Sequence, residues 1–418
     1  MADVILVAFE GPDRYSYVGG LGTRMRDLAE ALVDRGYRVH HLFVGDPGLR
    51  AREARMDGRL TLERWGQWIS AHHPRDVYDG EIGKWLDFGR TVPRHLVDNL
   101  IAPAAAAGKR TIVLFEDWQT ADAALNTAAL LAVRGLRASA SLLWNANNTY
   151  GFERIDLPLL GSAVAVSTIS RWMRAVMQPF GVDPLVLPNG IASRWLRPLA
   201  AGGIDTLRAA FGNRPTFVKI ARFDPDKRWL WAIDAIAALR ASGTNARLLL
   251  RGGRSEYGAE VFARVAARGL TLERIALGPE APVAEVAAAL ARATGDIVAL
   301  DFFIAEGVLR SLYAAADGVL ANSEREPFGL VGLEVMACGG IAYVGRTGED
   351  YAIPYGNSVV VQTDDPRELG THLGVLKASE QLRSRIRAEG RATAQRFSWS
   401  RVLDGYEAAW ESAARLGR

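Results

Sequence analysis

The chain contains 418 residues, of which 49% are hydrophobic and 23% charged, and its formal net charge is +3 at pH 7. That length predicts at least two domains, each with its own core. The sequence has no apolar run of the roughly 20 residues that a membrane-spanning helix needs. It also lacks a basic stripe interleaved with aromatic residues, so a nucleic-acid partner is not expected.

Cys338 is the only cysteine, which excludes an intrachain disulfide and fits a reducing compartment. The first apolar run, residues 4–9, has no basic leader and predicts a buried strand rather than a signal peptide. We therefore expect a cytoplasmic protein. A peripheral membrane contact stays open, because a basic stretch could touch acidic lipid or an acidic acceptor, or form a solvated face. Its members are Arg50, Arg52, Arg55, Arg59 and Arg64.

In the first half of the chain, strand-like apolar runs alternate with helical patterns, which predicts βαβ units and a parallel sheet. The strands are expected at residues 4–9, 39–44, 111–115, 139–144, 164–167 and 185–187. The helical patterns include residues 23–35, 102–107 and 121–134.

A glycine loop follows the first predicted strand and leads into a helix. It consists of Gly19, Gly20, Leu21 and Gly22, and its backbone N–H groups can approach a phosphate closely. A dinucleotide fingerprint would need glycine where the chain has Met25, so nicotinamide binding is not favoured. The alternative is a tight strand-to-helix turn.

Residues 188–215 are polar and glycine-rich, and they predict a hinge. A second alternating series follows, with a helical tail from residue 366 that breaks at 397–399. The predicted domains are therefore 1–195, 196–396 and a C-terminal helix in 397–418. The strands of the second series are expected at 216–220, 247–250, 275–277, 297–300, 318–321, 341–344 and 358–361.

Two cations, Arg222 and Lys227, follow the first strand of the second series. Cations at the carboxyl end of a strand can hold a diphosphate leaving group. Asp224 and Asp226 form a D-x-D string within the same loop, but we do not interpret them as metal ligands. No His-rich or Cys-rich spacing indicates a metal either.

The most informative segment, residues 323–339, follows another short strand. Glu326 lies in its loop, Phe328, Gly329 and Leu330 lead into a helix, and Glu334 lies on that helix. Free N–H groups at a helix start bind anions, and carboxylates accept hydrogen bonds from hydroxyl groups. This combination suits a sugar nucleotide.

With Pro-Phe-Gly between its two acids, this segment resembles the donor-site signature of retaining glycosyltransferases with the GT-B fold, closest to family 4 and with features of starch and glycogen synthases. The resemblance implies two Rossmann-like, doubly wound domains facing a central cleft, with the C-terminal helix crossing back to the N-terminal domain. It implies hexose transfer from a nucleotide-diphosphate sugar, a UDP- or GDP-sugar, to a hydroxyl of a saccharide, lipid or small molecule. Neither a metal nor another cofactor is implied.

Donor-site roles follow from the same resemblance. Arg222 and Lys227 match the phosphate-binding pair of the family. Glu326 would hold donor-sugar hydroxyls and Glu334 the ribose. The glycine loop and the N–H groups near Phe328 would hold diphosphate oxygens.

Two segments depart from the family pattern. Residues 116–121 resemble a His-Asp-Trp-His segment in which both histidines are replaced and Asp117 is kept, either to orient the acceptor or the glycine loop or as a helix N-cap. At the end of the strand near 144–148 the family histidine is absent, and Ala146 or Asn147 takes its place. Asn147 can bond a sugar hydroxyl or form an Asx turn. Because of this loss, a non-catalytic sugar-nucleotide binder stays an alternative. A same-fold phosphorylase or epimerase is a separate alternative.

Overall fold

The structure is a computed structural model that describes residues 3–253 and 255–416. The chain divides into two compact units, Met1–Ala192 with Ser398–Arg418, and Ser193–Phe397. Each unit contains a sheet in which almost every strand is parallel to its neighbours. The prediction of two doubly wound α/β domains is confirmed.

The sheet of the first unit has eight strands among the described residues, in the order β3-β4-β2-β1-β5-β6-β7-β8. In the described part of this sheet, only β3 and β4 pair in an antiparallel manner. The residues of β1 from Val4 to Val7 are fully buried, as a strand covered on both faces requires. The strands are β1 Asp3–Val7, β2 Arg38–Val44, β3 Arg52–Arg55, β4 Leu60–Trp65, β5 Thr111–Glu116, β6 Ala140–Ala146, β7 Ala165–Thr168 and β8 Leu185–Val186.

The sheet of the second unit is parallel and has seven strands over the described part of the chain, in the order β11-β12-β10-β9-β13-β14-β15. Short apolar runs such as Ile297–Leu300 are buried along their whole length. The strands are β9 Thr216–Ile220, β10 Arg247–Arg251, β11 Leu272–Ile275, β12 Ile297–Leu300, β13 Gly318–Ala321, β14 Ala342–Val344 and β15 Val359–Val360.

Helices cover both sheets. Among the described residues they are α1 Gly20–Asp34, α2 Gln67–Ser70, α3 Glu81–His95, α4 Ala102–Ala106, α5 Ala121–Val133, α6 Leu157–Ala163, α7 Arg171–Met177, α8 Ser193–Leu196, α9 Ala201–Phe211, α10 Trp229–Ala241, α11 Tyr257–Ala267, α12 Val283–Arg292, α13 Glu306–Ala315, α14 Leu330–Ala337, α15 Glu368–Lys377, α16 Glu380–Arg396 and α17 Trp399–Leu416.

The last helix, α17, belongs to the first unit, as the resemblance implies. Its residues Leu403, Tyr406 and Trp410 are buried in the same core cluster as Leu6 of β1 and Leu28 of α1. The helix therefore completes a core that the rest of the first unit begins.

Some local features differ from what the sequence indicates. The polar stretch 188–215, interpreted as a hinge, includes the boundary between the two units after Ala192, and it also contains α9, whose Leu207 and Phe211 are buried one helical turn apart. The hairpin of β3 and β4 was not predicted, because Arg52–Arg55 is charged and lies at a sheet edge. Arg64 of β4 is not on a solvated face, since its fully buried side chain pairs with Asp13 at 2.7 Å.

In both sheets the early strands lie on one side of the first strand and the later strands on its other side. The strand order therefore reverses beside the first strand of each sheet. The first unit has this switch between β1 and β5, and the second has it between β9 and β13. In open α/β sheets, ligands bind beyond the carboxyl ends of the strands at such a switch point. Each unit thus has one place where functional side chains are expected.

Candidate functional site

At the switch point of the second unit, Lys227 meets Glu326. The Lys227 ammonium donates to Glu326 Oε2 at 2.9 Å and to Ser323 Oγ at 3.3 Å. The side chains of the pair are 26% and 20% exposed, so the pair remains accessible. The structure therefore brings together two of the residues that the sequence singled out.

Backbone geometry places Lys227 at this position. Asp224 accepts a hydrogen bond from the Asp226 N–H at 3.0 Å and caps a short 3-10 turn that ends at Lys227. The Trp229 indole donates to the Arg222 carbonyl oxygen at 2.8 Å, which closes the loop. The Arg222 side chain is exposed and makes no hydrogen bond or ion pair within the described part of the chain. The first acid of the D-x-D string is therefore a turn cap.

The loop that carries Glu326 is held by the segment after β14. Thr347 Oγ1 accepts from the Glu326 N–H at 2.8 Å and donates to the Glu326 carbonyl oxygen at 3.0 Å. The Gly348 N–H bonds the same carbonyl at 2.8 Å. A Cβ at position 348 would lie 2.0 Å from the Pro327 carbonyl oxygen, so only glycine fits. These contacts fix the backbone from which the Glu326 side chain projects.

Glu349 is a buried carboxylate that the sequence analysis missed. Its oxygens accept from the N–H groups of Gly345 at 3.1 Å and Thr347 at 3.0 Å. Burial, followed by the charge of Glu326, raises the pKa of Glu349 to about 7. The sequence offers no signal for it, because its partners are backbone N–H groups, which do not depend on residue type, and its burial depends on packing.

The start of α14 combines buried and half-buried positions. Gly329 has a φ of +81°, and its carbonyl accepts the hydroxyl hydrogen of Tyr351. The Phe328 side chain is buried between Tyr351 and Phe397, so it anchors the loop, and only its backbone is available to a ligand. Leu330 and Glu334 are half-buried on the helix itself.

Lys219 on β9 lies behind this site and is fully enclosed. Its ammonium donates to the Leu320 carbonyl oxygen at 3.1 Å and to Asn322 Oδ1 at 3.0 Å, and it lies over the Trp229 ring. Burial, and then the charge of Lys227, lowers its pKa to about 7. Lys219 therefore supports the core beneath the site.

A cavity of about 660 Å³ opens beside the same sheet, at the carboxyl ends of β10 and β12. Phe223 lies on the Gly252 backbone, where a Cβ would be 2.2 Å from the ring. The wall of the cavity combines aromatic, backbone and charged groups, among them Phe262, Phe303, Arg274 and Asp301.

At the switch point of the first unit, the glycine loop already has an anionic partner. Glu10 follows β1, and its Oε2 accepts from the N–H groups of Gly19 at 3.0 Å, Gly22 at 2.8 Å and Val18 at 3.3 Å. The N–H groups of Gly19 and Gly22 are thus engaged within the protein, contrary to the expectation that they meet donor phosphate. Gly20 and Leu21 open α1, and no bond to Glu10 involves them. The tight-turn alternative describes the loop better.

Glu10 also binds a phenol. The Tyr78 hydroxyl donates to Glu10 Oε1 at 2.7 Å. Burial, and then the charge and hydrogen bond of Glu10, raise the pKa of Tyr78, and the charges of Asp117 and Glu81 act in the same direction. Glu10 therefore connects the glycine loop to Tyr78.

Asp117 is not a side-chain N-cap. Its backbone has a φ of +65°, and its carboxylate accepts from the Asn147 N–H at 2.8 Å and Asn148 Nδ2 at 2.7 Å. Burial, and then the charges of Glu116 and Glu10, raises the pKa of Asp117 to about 7. Asp117 and Asn147, predicted from different strand ends, are in direct contact.

Glu116, next to Asp117, holds the end of β6 through an ion pair and hydrogen bonds. It pairs with the buried Arg24 at 2.8 Å and accepts from Asn145 Nδ2 at 3.0 Å and from the Asn147 amide. Arg24 also donates to the Tyr406 hydroxyl of α17 at 2.9 Å. The family resemblance singled out residues 116–121, but it did not predict the ion pair between Glu116 and Arg24. A buried carboxylate–guanidinium pair has no sequence signature.

Two amides at this place keep an unmatched carbonyl oxygen. Gln119 is 4% exposed and donates its Nε2 to Glu81 at 3.0 Å, while its Oε1 has no partner in the described structure. The Oδ1 of Asn147 is in the same condition. Ala146, the other candidate for the missing histidine position, is fully buried.

The described residues contain neither a cluster of metal-ligating side chains nor a membrane-spanning helix. No group of three or more His, Cys, Asp or Glu side chains within residues 3–253 and 255–416 is placed to hold a metal ion. No described helix combines the length and the apolar character needed to cross a bilayer.

Comparison with known families locates a relationship in the second unit. Residues 207–393 match the model of the family glycosyl transferases group 1. A D-inositol 3-phosphate glycosyltransferase from Segniliparus rotundus is 28% identical over 254 residues, which is 57% of this chain and 50% of that protein. The chain thus aligns with only half of its relative's length.

Solved structures match over the whole chain. Sucrose-phosphate synthase from Thermosynechococcus elongatus superposes with a TM-score of 0.68 at 18% identity and covers 99% of both chains. The catalytic domain of starch synthase IV from Arabidopsis thaliana, bound to ADP and acarbose, gives a TM-score of 0.68 at 17% identity, again over 99% of both chains. At these identities the likeness is one of fold.

Proposed function

We propose that the protein is a glycosyltransferase that moves a hexose from a nucleotide-diphosphate sugar to an acceptor hydroxyl. The match of residues 207–393 to the model of glycosyl transferases group 1, within a chain of the GT-B fold, supports this proposal. The second unit would bind the donor. We further propose that the transfer retains the anomeric configuration and needs no metal ion.

The observation that carries the proposal is the accessible contact between Lys227 and Glu326 beside the exposed Arg222. Lys227 is held at 2.9 Å from the Glu326 carboxylate, so a cation and a hydroxyl-binding acid share one place at the switch point. A diphosphate beside Lys227 would gain a charge-assisted hydrogen bond, and a sugar hydroxyl could donate to Glu326. Arg222, whose side chain has no protein partner within residues 3–253 and 255–416, would supply a second cation.

The cavity at the ends of β10 and β12 would receive the nucleoside. Its volume of about 660 Å³ lies in the usual range of small-molecule pockets. Phe303 is 60% exposed at its rim and offers a ring face for stacking. Arg274 and Asp301, paired at 2.6 Å, offer groups that can distinguish one base from another.

The proposed reaction exchanges one bond for another. The bond between the anomeric carbon and the diphosphate oxygen breaks, and its electron pair leaves with the diphosphate. A bond from the acceptor oxygen to the anomeric carbon forms on the same face, and the acceptor proton passes to the departing phosphate oxygen. Negative charge grows on the leaving group, so Lys227 and Arg222 act mainly on the transition state.

Truncation of the two cations tests this assignment. Removal of one preorganised charge contact costs roughly 3 kcal/mol, or about a hundredfold in rate. We expect Lys227→Ala and Arg222→Ala each to lower turnover at saturating donor by about that factor, with little change in melting temperature. The double variant should lose less than the sum, because both cations act on one diphosphate.

Exposed cations elsewhere in the same unit provide matched controls. Lys377 ends α15 and Arg292 ends α12, and both side chains are exposed. Lys377→Ala and Arg292→Ala should keep wild-type turnover. Lys219 is unsuitable as a control because its buried ammonium holds two strands together. Near-wild-type turnover in Lys227→Ala would remove this loop from the active site.

A non-catalytic sugar-nucleotide binder is the second candidate, favoured by the absence of a histidine at Asn147. Donor hydrolysis by the purified protein, measured as release of UDP, GDP or ADP from the corresponding glucose or mannose nucleotides, separates the two. Donor binding without hydrolysis or transfer to any acceptor would favour the binder.

A further inference from the structure

The cavity of the second unit carries an ion pair on its wall that is open to a ligand. Arg274 lies on the edge strand β11, and Asp301 follows β12. The Arg274 guanidinium donates to Asp301 Oδ2 at 2.6 Å, yet the two side chains are 50% and 41% exposed. Both residues line the cavity. The pair can therefore contact a molecule that enters there.

The fold holds both partners of this pair in place. The Asp301 N–H donates to the Ile275 carbonyl oxygen at 2.8 Å, so the ends of β11 and β12 are tied together. Arg251 Nε donates at 2.8 Å to the carbonyl oxygen of the residue after Asp301, which fixes the loop beyond β12. The Arg274 guanidinium lies over the Phe262 ring, with its central carbon 4.4 Å from the ring centroid. The pair is thus preorganised on the cavity wall.

One contact leaves much of the hydrogen-bonding capacity of the pair unused. A guanidinium carries five N–H donors, and a carboxylate accepts at both oxygens. Neither the Arg274 guanidinium nor Asp301 Oδ1 makes a further hydrogen bond to another described residue. The pair thus offers the cavity an N–H donor beside two acceptor oxygens. The edge of a nucleobase is itself a short row of donors and acceptors, so this order can select among bases.

Guanine is the base whose edge complements that row. Its O6 accepts a hydrogen bond, and its N1–H and 2-amino group donate, so O6 can face Arg274 while both donors face the Asp301 carboxylate. Uracil presents O4, N3–H and O2, and its second carbonyl oxygen would be placed against a carboxylate oxygen. Adenine presents its amino donor before a ring acceptor, which is the reverse of what the pair needs.

The surroundings of the pair favour a flat, uncharged part of a ligand. Arg274 and Asp301 bear opposite charges, so the pair offers hydrogen bonds without net charge. Phe303 is 60% exposed and lines the same cavity, where its ring offers a face for stacking. A phosphate near Arg274 would also meet the Asp301 carboxylate, which would repel it.

We propose that the cavity selects guanine, so that the donor is a GDP-sugar. Arg274 donates to guanine O6, the Asp301 carboxylate accepts from N1–H and the 2-amino group, and Phe303 stacks on the ring. This inference rests on the proposed transferase function and specifies its donor. Arg274 and Asp301 then determine specificity, since they contact the base and not the reacting atoms.

The first experiment measures the binding of nucleoside diphosphates to the full-length protein. Titration calorimetry compares GDP, inosine diphosphate (IDP), UDP and ADP in one buffer. GDP should bind more than about tenfold tighter than UDP or ADP, the scale of one bidentate pair. IDP lacks only the 2-amino group and should bind about tenfold more weakly than GDP. Equal binding of GDP and IDP, preference for UDP or ADP, or no binding at millimolar concentration overturns the proposal.

A variant of the acid should reverse the preference. In Asp301→Asn the side chain keeps one acceptor oxygen and gains an N–H donor in place of the other. Xanthine has a carbonyl oxygen where guanine has its 2-amino group, so xanthosine diphosphate (XDP) should gain about tenfold in affinity and GDP should lose about as much. An unchanged ratio of GDP to XDP affinity would show that Arg274 and Asp301 form a surface ion pair only.

A matched ion pair provides the control. Asp234 of α10 pairs with Arg268 at 2.8 Å, and neither residue lines the cavity. Asp234→Asn should keep the wild-type ratio of GDP to XDP affinity. Both Asn variants should keep the wild-type melting temperature, because exposed ion pairs contribute little stability.

A variant of the cation distinguishes a base contact from a phosphate contact. If Arg274 contacts guanine, Arg274→Met should weaken GDP binding about tenfold and leave UDP and ADP nearly unchanged. If it contacted a phosphate, all three affinities would fall alike, contrary to the proposal. Arg268→Met should change none of them.

The result stays separate from that of the proposed function, because binding requires no transfer. A protein that prefers GDP but releases none from GDP-glucose or GDP-mannose would retain guanine selection and lose the transferase activity. A protein that transfers from a UDP- or ADP-sugar in preference to a GDP-sugar would retain the transferase activity and lose guanine selection.

Discussion

At the scale of single residues, Asp117 makes the stability of the first unit depend on pH. Its carboxyl has a pKa of about 7 because burial and neighbouring acids disfavour its charged form. The unfolded chain would release that proton near pH 4. Between these values the folded protein holds the proton and the unfolded chain does not, so stability is present below about pH 4 and is lost as pH rises through about 7.

This predicts a pH-dependent difference between the wild type and Asp117→Asn. The melting temperature of the wild type, minus that of the variant, should fall steadily from pH 4 to pH 8. Asp34→Asn, at an exposed residue that ends α1, should show no such trend. A difference that is constant over this range would show that Asp117 is charged throughout.

Residue-scale prediction from sequence succeeded where neighbours along the chain decide the role. Glu326 and Lys227 were singled out from their own loops, and the structure brings them into contact. The carboxylate that binds the glycine loop was not predicted. It belongs to Glu10 at the end of the preceding strand, and it is oriented by Tyr78, which is distant in sequence. Spacing reveals available N–H groups, but it does not reveal which side chain accepts from them.

At the scale of elements, α17 should decide the stability of the first unit. Leu403 is fully buried in that core, and Leu-to-Ala changes at such positions cost about 2–5 kcal/mol. We expect Leu403→Ala to increase amide hydrogen exchange in β1, α1 and the other core elements of the first unit, while the second unit keeps its protection. The control Ser412→Ala lies on the exposed side of the same helix. Equal loosening of both units would contradict an independent core.

Elements were predictable from sequence where apolar runs are continuous. The strands 216–220, 297–300 and 318–321 were located with their observed bounds. The edge strand Arg52–Arg55 was not predicted, because it has no apolar run. It pairs with β4 through contacts such as the ion pair between Glu53 and Arg64, which a hydrophobic pattern does not reveal. The helix α9 was masked by its two glycines and by a short apolar stripe.

At the scale of the whole molecule, both units place their key groups at the same topological position but with different charge. The second unit presents the cations Lys227 and Arg222, whereas the first presents the carboxylates of Glu10 and Asp117. Equivalent folds thus carry different side-chain chemistry at corresponding strand ends.

The charge of the second unit makes a prediction about metal. In the proposed reaction Lys227 and Arg222 would provide the positive charge beside the diphosphate, so transfer should continue at an unchanged rate in excess EDTA. The assay is nucleoside diphosphate release with and without the chelator. Complete loss that Mg²⁺ or Mn²⁺ restores would identify a required cation and return Asp224 and Asp226 as possible ligands.

The position of α17 has a consequence for biosynthesis. The first unit begins at the start of the chain, but Leu403, Tyr406 and Trp410 are translated only after the entire second unit. At roughly 5–20 residues per second, the apolar face that receives this helix stays uncovered on the ribosome for about 10–40 s. During that interval the second unit can fold as an independent body, while the core of the first unit still lacks its last helix. The order of translation therefore predicts that the first unit completes its core after the second unit has been synthesised.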